Sequence, residues 1–334
     1  MNILLMLAHS IEEHDQLRLL HSLGYNVFSL GGYIDPSHPH DPKRPALPGI
    51  PTYADLKSAV DNLGTEDNLE YAKREIPQAI LDWADVIICH HYEWKWLWPQ
   101  WSRIRDKRVI WRTVGQSTEA NERTAAPYRA EGLQVVRYSP KEANIPGYAG
   151  ADALIRFYKD PEEWHGWTGT QETVINITQH LMQRGSSTNG GYWKAATDGL
   201  QSLILGPGSH EYGGPGELTL EEMHAWLRAA RCYLYTGTQP ASYTLGLVEA
   251  MMTGIPVVSI GPAWHSMFPY GPLLFEGHEL TGYGYNHPME ARLMLQELLS
   301  NPANARDVSL RQHAKAMELF SMERVGAAWK DFLG

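Results

Sequence analysis

Cysteine is nearly missing from this chain, with two in 334 residues. Cys89 and Cys232 each sit inside an apolar run, which excludes a disulfide-stapled scaffold and reads as buried free thiols in a reducing cytoplasm. Positive charge is also short: 28 Lys and Arg against 38 Asp and Glu leave a formal net charge of −10. Such a surface does not advertise nucleic-acid binding as a whole, although local basic patches stay open. No apolar run approaches the roughly 20 residues of a membrane span, so at most peripheral membrane contact is expected. The opening Met-Asn-Ile-Leu-Leu-Met-Leu-Ala-His lacks a basic leader and is too short in its apolar part for a signal peptide. No internal repeat, heptad run or low-complexity tail is visible. What is present is a globular composition, 43% hydrophobic and 20% charged, over a length that suits two domains. Twelve tryptophans make aromatic platforms worth seeking.

Apolar runs alternate with helical stretches along the whole chain, which predicts an α/β architecture with parallel sheets. Ile3 to Ala8 reads as a strand, and Ser10-Ile-Glu-Glu13 as a capping box opening a helix to about Leu23. Gly24 ends that helix before a strand from Tyr25 to Leu30. Residues 31–51, rich in Pro, His and Gly, read as a long functional loop. A helix within Leu69 to Trp83, kinked near Pro77, precedes strands at Asp85 to Cys89, Arg108 to Thr113 and Val135 to Tyr138. Residues 160–169 suit a linker. Strands then follow at Thr173 to Ile177, Leu200 to Leu205, Cys232 to Tyr235 and Leu273 to Phe275. A helix near Trp193 to Gly199, a capping box at Thr219-Leu-Glu-Glu222 and three helices after Met289 complete the pattern.

The most informative segment is Pro240-Ala-Ser-Tyr-Thr-Leu-Gly-Leu-Val-Glu-Ala-Met-Met-Thr-Gly-Ile-Pro-Val-Val258. It reads as a loop, a helix capped by Ser242 or Thr244, a left-handed stop at Gly254 and a buried strand after Pro256. Such a helix start leaves bare amides and a positive dipole end for a phosphate. Glu249, farther along, is placed to accept both hydroxyls of a ribose.

Glu249-Ala250 ahead of Gly254-Ile-Pro-Val-Val258 resembles the retaining GT-B glycosyltransferases, the large family of sucrose synthases and bacterial mannosyl- and glucosyltransferases. The stretch Leu220 to Leu234, the closing Phe320 to Trp329 and the Asp85-Val-Ile-Ile-Cys-His90 strand resemble the same family. The likeness covers most of residues 170–334 and the first domain loosely. It implies two facing Rossmann-like domains: residues 1–165 on the acceptor side, residues 166–318 binding a nucleotide sugar, and a helix over 319–334 crossing back to the first. It further implies a hexosyl- or pentosyltransferase that moves a sugar from a nucleotide-diphosphate donor, with a UDP-sugar expected, to an acceptor hydroxyl with retention. No prosthetic group and no metal are implied. On the donor side Glu249 would hold the ribose, Tyr243, Thr244 and Leu245 would present backbone amides, and Arg184 would neutralise the leaving diphosphate. Lys194 is the nearest match to a family lysine. Two departures stand out. The family's first glutamate, eight residues before Glu249, is Ala241 here, with Ser242 or Thr244 as neutral substitutes. The family's Gly-Gly after the first strand is absent, and Gly31-Gly32 follows the second strand instead.

Further candidates sit at predicted strand ends, where ligands collect in open sheets. These are His90 and His91, then Arg112, Gly115 and Gln116, then His9 and Ser10. The glycine-rich Gly206 to Gly216 lacks a phosphate-loop ending and reads as a cleft loop near the base. His38, His40 and Asp41 are metal ligands by type only. The stretch His91 to Arg108 mixes tryptophans and cations, suited to core packing, to a stacked base, to a lipid headgroup or to a polyanion. The acceptor therefore stays open between a glycan, lipid or small molecule and hydroxymethyl-pyrimidine DNA. A nucleotide-sugar epimerase and a non-catalytic sugar-nucleotide-binding protein are the competing classes.

Overall fold

The computed structural model describes residues 1–6, 10–29, 47, 49–51, 53–61, 75–90 and 97–334. The first sheet begins with β1 (Asn2–Met6), α1 (Ser10–Ser22) and β2 (Asn26–Ser29). Helices α2 (Ala54–Asp61) and α3 (Gln78–Trp83) lead into β3 (Val86–His90). Then come α4 (Trp101–Ile104), β4 (Arg108–Arg112), α5 (Glu119–Ala130), β5 (Gln134–Arg137) and the two-residue β6 (Ala153–Leu154). Every pairing is parallel, in the order β2-β1-β3-β4-β5-β6. Sheets built this way are covered on both faces, which is why Ile3, Leu5, Ile88 and Ile110 fill one buried cluster while Leu4, Ile87, Cys89 and Val109 fill another.

The second sheet is also wholly parallel, in the order β11-β10-β9-β7-β8. Its elements are β7 (Gln171–Ile177), α6 (Gly190–Thr197), β8 (Ser202–Leu205), α7 (Leu220–Ala229) and β9 (Ala230–Tyr235). They continue with α8 (Leu245–Thr253), β10 (Val257–Ile260), α9 (Gly271–Leu274), α10 (Gly277–Thr281), β11 (Gly284–Tyr285), α11 (Pro288–Ser300) and α12 (Pro302–Phe320). One continuous core spans these elements. The last helix, α13 (Met322–Leu333), leaves that core. Its Val325, Trp329 and Leu333 are buried with Ile3, Leu5 and Leu19 of the first sheet's layer, and Arg108 donates to the carbonyls of Phe332 and Leu333.

Three local expectations differ from the structure for physical reasons. Leu273 and Leu274 belong to a helical turn, not a strand, because Pro272, its second residue, presets helical φ. Pro77 stands at the N-cap of α3 and starts that helix rather than kinking a longer one. Thr244 is the N-cap of α8, yet its hydroxyl makes no capping bond. The capping box at Thr219 is present as read, with Thr219 Oγ1 accepting from the Glu222 amide at 3.2 Å and Glu222 accepting from the Thr219 amide at 2.8 Å. At the other predicted box Ser10's side chain lies outside the described set, and Glu13 accepts from the Ser29 hydroxyl, tying α1 to β2.

Candidate active-site cleft

Strand order reverses between β1 and β3 in the first sheet and between β7 and β9 in the second. In open parallel sheets such reversals leave a crevice beyond the carboxyl ends of the strands. Here both crevices open into one cleft of about 520 Å³. Ile11 and Glu12, after β1, and Val114 to Gln116, after β4, form its first wall. Thr178 and Gln179, after β7, with Thr238 to Ala241, after β9, form the opposite wall.

Helix α8 starts on that second wall. Leu247 and Val248 donate to the Thr244 carbonyl, so the helix winds from Thr244, and the amides of Leu245 and Gly246 precede any intrahelical acceptor. Thr244, Leu245 and Gly246 all line the cleft. Gly254 closes the helix at φ +91°, its amide donating to Ala250 and Met251. Arg184 is exposed, lines the same wall and makes a long contact to the Gln179 carbonyl at 3.5 Å, which leaves its guanidinium turned to the cleft solvent.

Glu249 lines the cleft at 5% exposure. Its Oε1 accepts from Lys159 Nζ at 2.6 Å, and the same ammonium lies 2.8 Å from Asp15 Oδ2 on α1. Lys159 is fully buried over the Trp164 ring. One lysine from the connection between the sheets thus joins a helix of the first layer to the signature helix of the second. Burial by itself would raise Asp15, but Lys159 and His14 together hold its carboxyl below the usual range. Glu12, one turn earlier and also in the cleft, behaves oppositely: burial pushes it up to about 8, against the pull of Arg112 at 3.9 Å. Nothing in the sequence pattern singled out Glu12, Asp15 or Lys159. Glu12 lies inside the Ser10-Ile-Glu-Glu13 capping pattern and Lys159 directly precedes residues 160–169; only the meeting of three distant segments reveals them.

Other predicted residues are brought into the seam between the sheets rather than into the cleft. Ser242 is buried, its amide donating to Tyr138 Oη at 2.7 Å and its hydroxyl 2.8 Å from that of Ser139. Tyr243 lines the cleft, while its hydroxyl donates to the Tyr138 carbonyl at 2.9 Å. Arg112 is fully buried and its guanidinium donates to the carbonyls of Ile155 and Arg156, so it fastens the inter-sheet connection. Gly115 and Gln116 do line the cleft, and a Cβ added at Gly115 would stand 3.3 Å from Ala241 Cβ. The two walls therefore nearly meet at the position of the missing glutamate.

His90 ends β3 fully buried, opposite Arg112 in the ladder. Lys194 is exposed on α6, away from the cleft lining. Ser10 begins α1, with its side chain outside the described set. His9, His91, the Gly31-Gly32 pair, and His38, His40 and Asp41 lie outside the described residues. Among the described residues no cluster of three or more His, Cys, Asp or Glu is placed to hold a metal. No described helix is long and apolar enough to cross a membrane. In the aromatic stretch, residues 91–96 are likewise undescribed. Beyond them Trp98 stacks on Tyr128 at 4.3 Å and Trp101 packs edge-on to both. Arg103 and Lys107 donate to the carbonyls of Ile76 and Ala84.

Two facing parallel sheets, a cleft at both strand reversals and a returning last helix decide the architecture. The chain has the GT-B glycosyltransferase fold. It is similar to HepE from Anabaena, solved with UDP and glucose, at 14% identity over 100% of this chain and 99% of that one, with a TM-score of 0.69. It is similar to sucrose-phosphate synthase from Thermosynechococcus elongatus at 16% identity over 99% and 98%, TM-score 0.65. A glycosyltransferase from Rickettsia africae matches at 11% identity over 99% and 98%, TM-score 0.66. No protein-family model and no curated protein sequence matches the chain.

Proposed function

We propose that this protein is a glycosyltransferase that moves a hexosyl or pentosyl group from a nucleoside-diphosphate sugar, a UDP-sugar, to an acceptor hydroxyl with retention. The observation that carries the reading is the pairing of α8's open start with Arg184 on one wall of the cleft, beside Glu249. Ribose hydroxyls donate to the Glu249 carboxylate, whose Oε1 is held by Lys159. The diphosphate meets the amides of Leu245 and Gly246 at the positive end of the helix dipole. As the anomeric carbon–oxygen bond breaks, charge grows on the departing phosphate, and the fixed amides and Arg184 stabilise it most at that moment. The acceptor enters from the first wall. Its oxygen bonds the anomeric carbon while its proton passes to the departing diphosphate, so no protein base is required. Closure of the walls excludes water and aligns the hydroxyl.

The proposed division of labour places residues 1–165 on the acceptor side, residues 166–318 on the donor side and the 319–334 helix as their tie. The proposal needs neither metal nor prosthetic group and places the enzyme in the cytoplasm, with peripheral membrane contact compatible. Arg103 and Lys107, bound to backbone carbonyls, favour a glycan, lipid or small-molecule acceptor over hydroxymethyl-pyrimidine DNA. The test is incubation with UDP-sugars and an acceptor panel, with products followed by proton NMR. The expected result is transfer, or slow donor hydrolysis, with the anomeric configuration kept. An altered sugar nucleotide formed without acceptor would make the protein an epimerase. Donor binding with no turnover would make it a binding protein.

A further inference from the structure

The described lining of the cleft carries the carboxyls of Glu12, Glu217 and Glu249, with the guanidinium of Arg184 as its cation. These charges are not spread evenly. Arg184 stands on the donor wall, and Glu249 beside it is balanced by Lys159. The first wall presents Glu12, the amide side chain of Gln116 and the apolar Ile11, Val114 and Phe157. Glu12 is 2% exposed, yet it is a cleft-lining group, at the start of a helix whose next turn holds Asp15. This placement puts Glu12 on the wall from which the proposed acceptor enters. The described part of this wall, mostly apolar with one carboxyl and one amide, has the chemistry that holds a sugar or polyol: hydroxyls to the polar pair, ring carbons to the aliphatic and aromatic faces.

We propose that Glu12 is the acceptor-binding residue of the first wall, sharing a hydrogen bond with the acceptor beside its reacting hydroxyl, and that the acceptor is an uncharged polyhydroxyl compound. This rests on the transferase reading above and adds the substrate class to it. An anionic acceptor is disfavoured, because among the described residues the first wall offers its charge no cation, and Asp15 stands close behind Glu12. Lys159 is already shared between Asp15 and Glu249 and is fully buried, and Arg112 is engaged by the carbonyls of Ile155 and Arg156. The raised ionisation of Glu12 fits this role: near neutral pH its protonated form donates as well as accepts, which matches a hydroxyl better than a carboxylate does.

The experiment uses the full chain, first screened by thermal shift with the UDP, ADP and GDP derivatives of glucose and mannose. The donor that binds is then used in initial-rate assays. Uncharged acceptors (methyl glucosides, lactose, glycerol) are set against anionic ones (glucuronate, glucose 6-phosphate, hydroxymethylcytosine duplex DNA). Wild type is expected to use the uncharged set. Glu12→Ala is expected to raise the acceptor KM at least tenfold, with the donor Kd within threefold of wild type. The isosteric Glu12→Gln is expected to restore the KM to within threefold, a rescue that a purely structural role would not produce selectively. Transfer only to the anionic set, or no transfer to the uncharged set, overturns the inference, as does an unchanged acceptor KM in Glu12→Ala. A loss of donor affinity parallel to that for acceptor, in both variants, also overturns it. Absence of binding by every donor to wild type is a separate outcome: it removes the transferase reading, and this inference falls with it.

Discussion

At the scale of single residues, Lys159 carries the heaviest electrostatic duty. It is a buried ammonium with carboxylates at 2.6 and 2.8 Å, and removing it takes a close positive partner from both Glu249 and Asp15. Lys159→Met is therefore expected to destabilise the protein by about 3 kcal/mol, read from urea unfolding, and to weaken donor binding through Glu249. No change in either quantity would show that the triad is not an ionic unit. Glu12 makes a different prediction. Its folded ionisation is raised from the usual carboxyl range to about 8, so the fold binds its proton more tightly than the unfolded chain does. Stability owed to that proton is complete below the unfolded value and disappears as pH rises toward 8. The charged neighbours of Glu12 are Arg112 and Lys159, which pull its ionisation down, and Asp15, which pushes it further up. Glu12→Gln, which cannot ionise, should flatten this part of the profile. Its stability relative to wild type should rise from pH 5 to pH 9 by on the order of 2 kcal/mol, measured by thermal unfolding across pH.

At the scale of elements, α8 and its flanks form the proposed diphosphate dock. Gly254 adopts φ +91°, where a side chain is strained even though its nearest neighbour, Ser309 Oγ, is 3.4 Å from an added Cβ. Gly254→Ala should therefore cost about 1 kcal/mol in unfolding measurements, from backbone strain rather than from collision. This helix was legible in the sequence because its start, glycine stop and following Pro256 are local signals. Most strands were legible for the same reason: Val86 to His90 and Val257 to Ile260 are short apolar runs bounded by turn residues. The misread elements depended on context. Leu273 and Leu274 look like strand residues until Pro272 starts a turn, and Ala153–Leu154 and Gly284–Tyr285 are edge strands of two residues with no periodicity to read. The site was half legible. Glu249, Thr244, Leu245 and Arg184 line one cleft wall; the first three share one segment, whereas Arg184 was expected there only from the family resemblance. Arg112 and Ser242 stand at comparable positions, but tertiary partners absorb them into the seam.

At the scale of the whole molecule, the two sheets are coupled by more than a linker. Ser139 Oγ donates to Glu276 Oε2 at 2.6 Å and Arg156 pairs with the same carboxylate at 2.5 Å, while Lys141 reaches Glu279 at 2.6 Å. The returning α13 adds an apolar tie through Trp329, which is fully buried in the first sheet's layer. Trp329→Ala is expected to cost about 3–5 kcal/mol, seen as earlier unfolding by calorimetry. The seam, the triad at Lys159 and the near-contact of Gly115 with Ala241 all fix the width of one cleft, and the account stands on what that cleft holds. Titration calorimetry of UDP into wild type and Glu249→Ala tests this most directly. The account predicts a single site per wild-type chain and at least a tenfold loss of affinity in the variant; no heat with wild type, or equal affinity in both proteins, would contradict it.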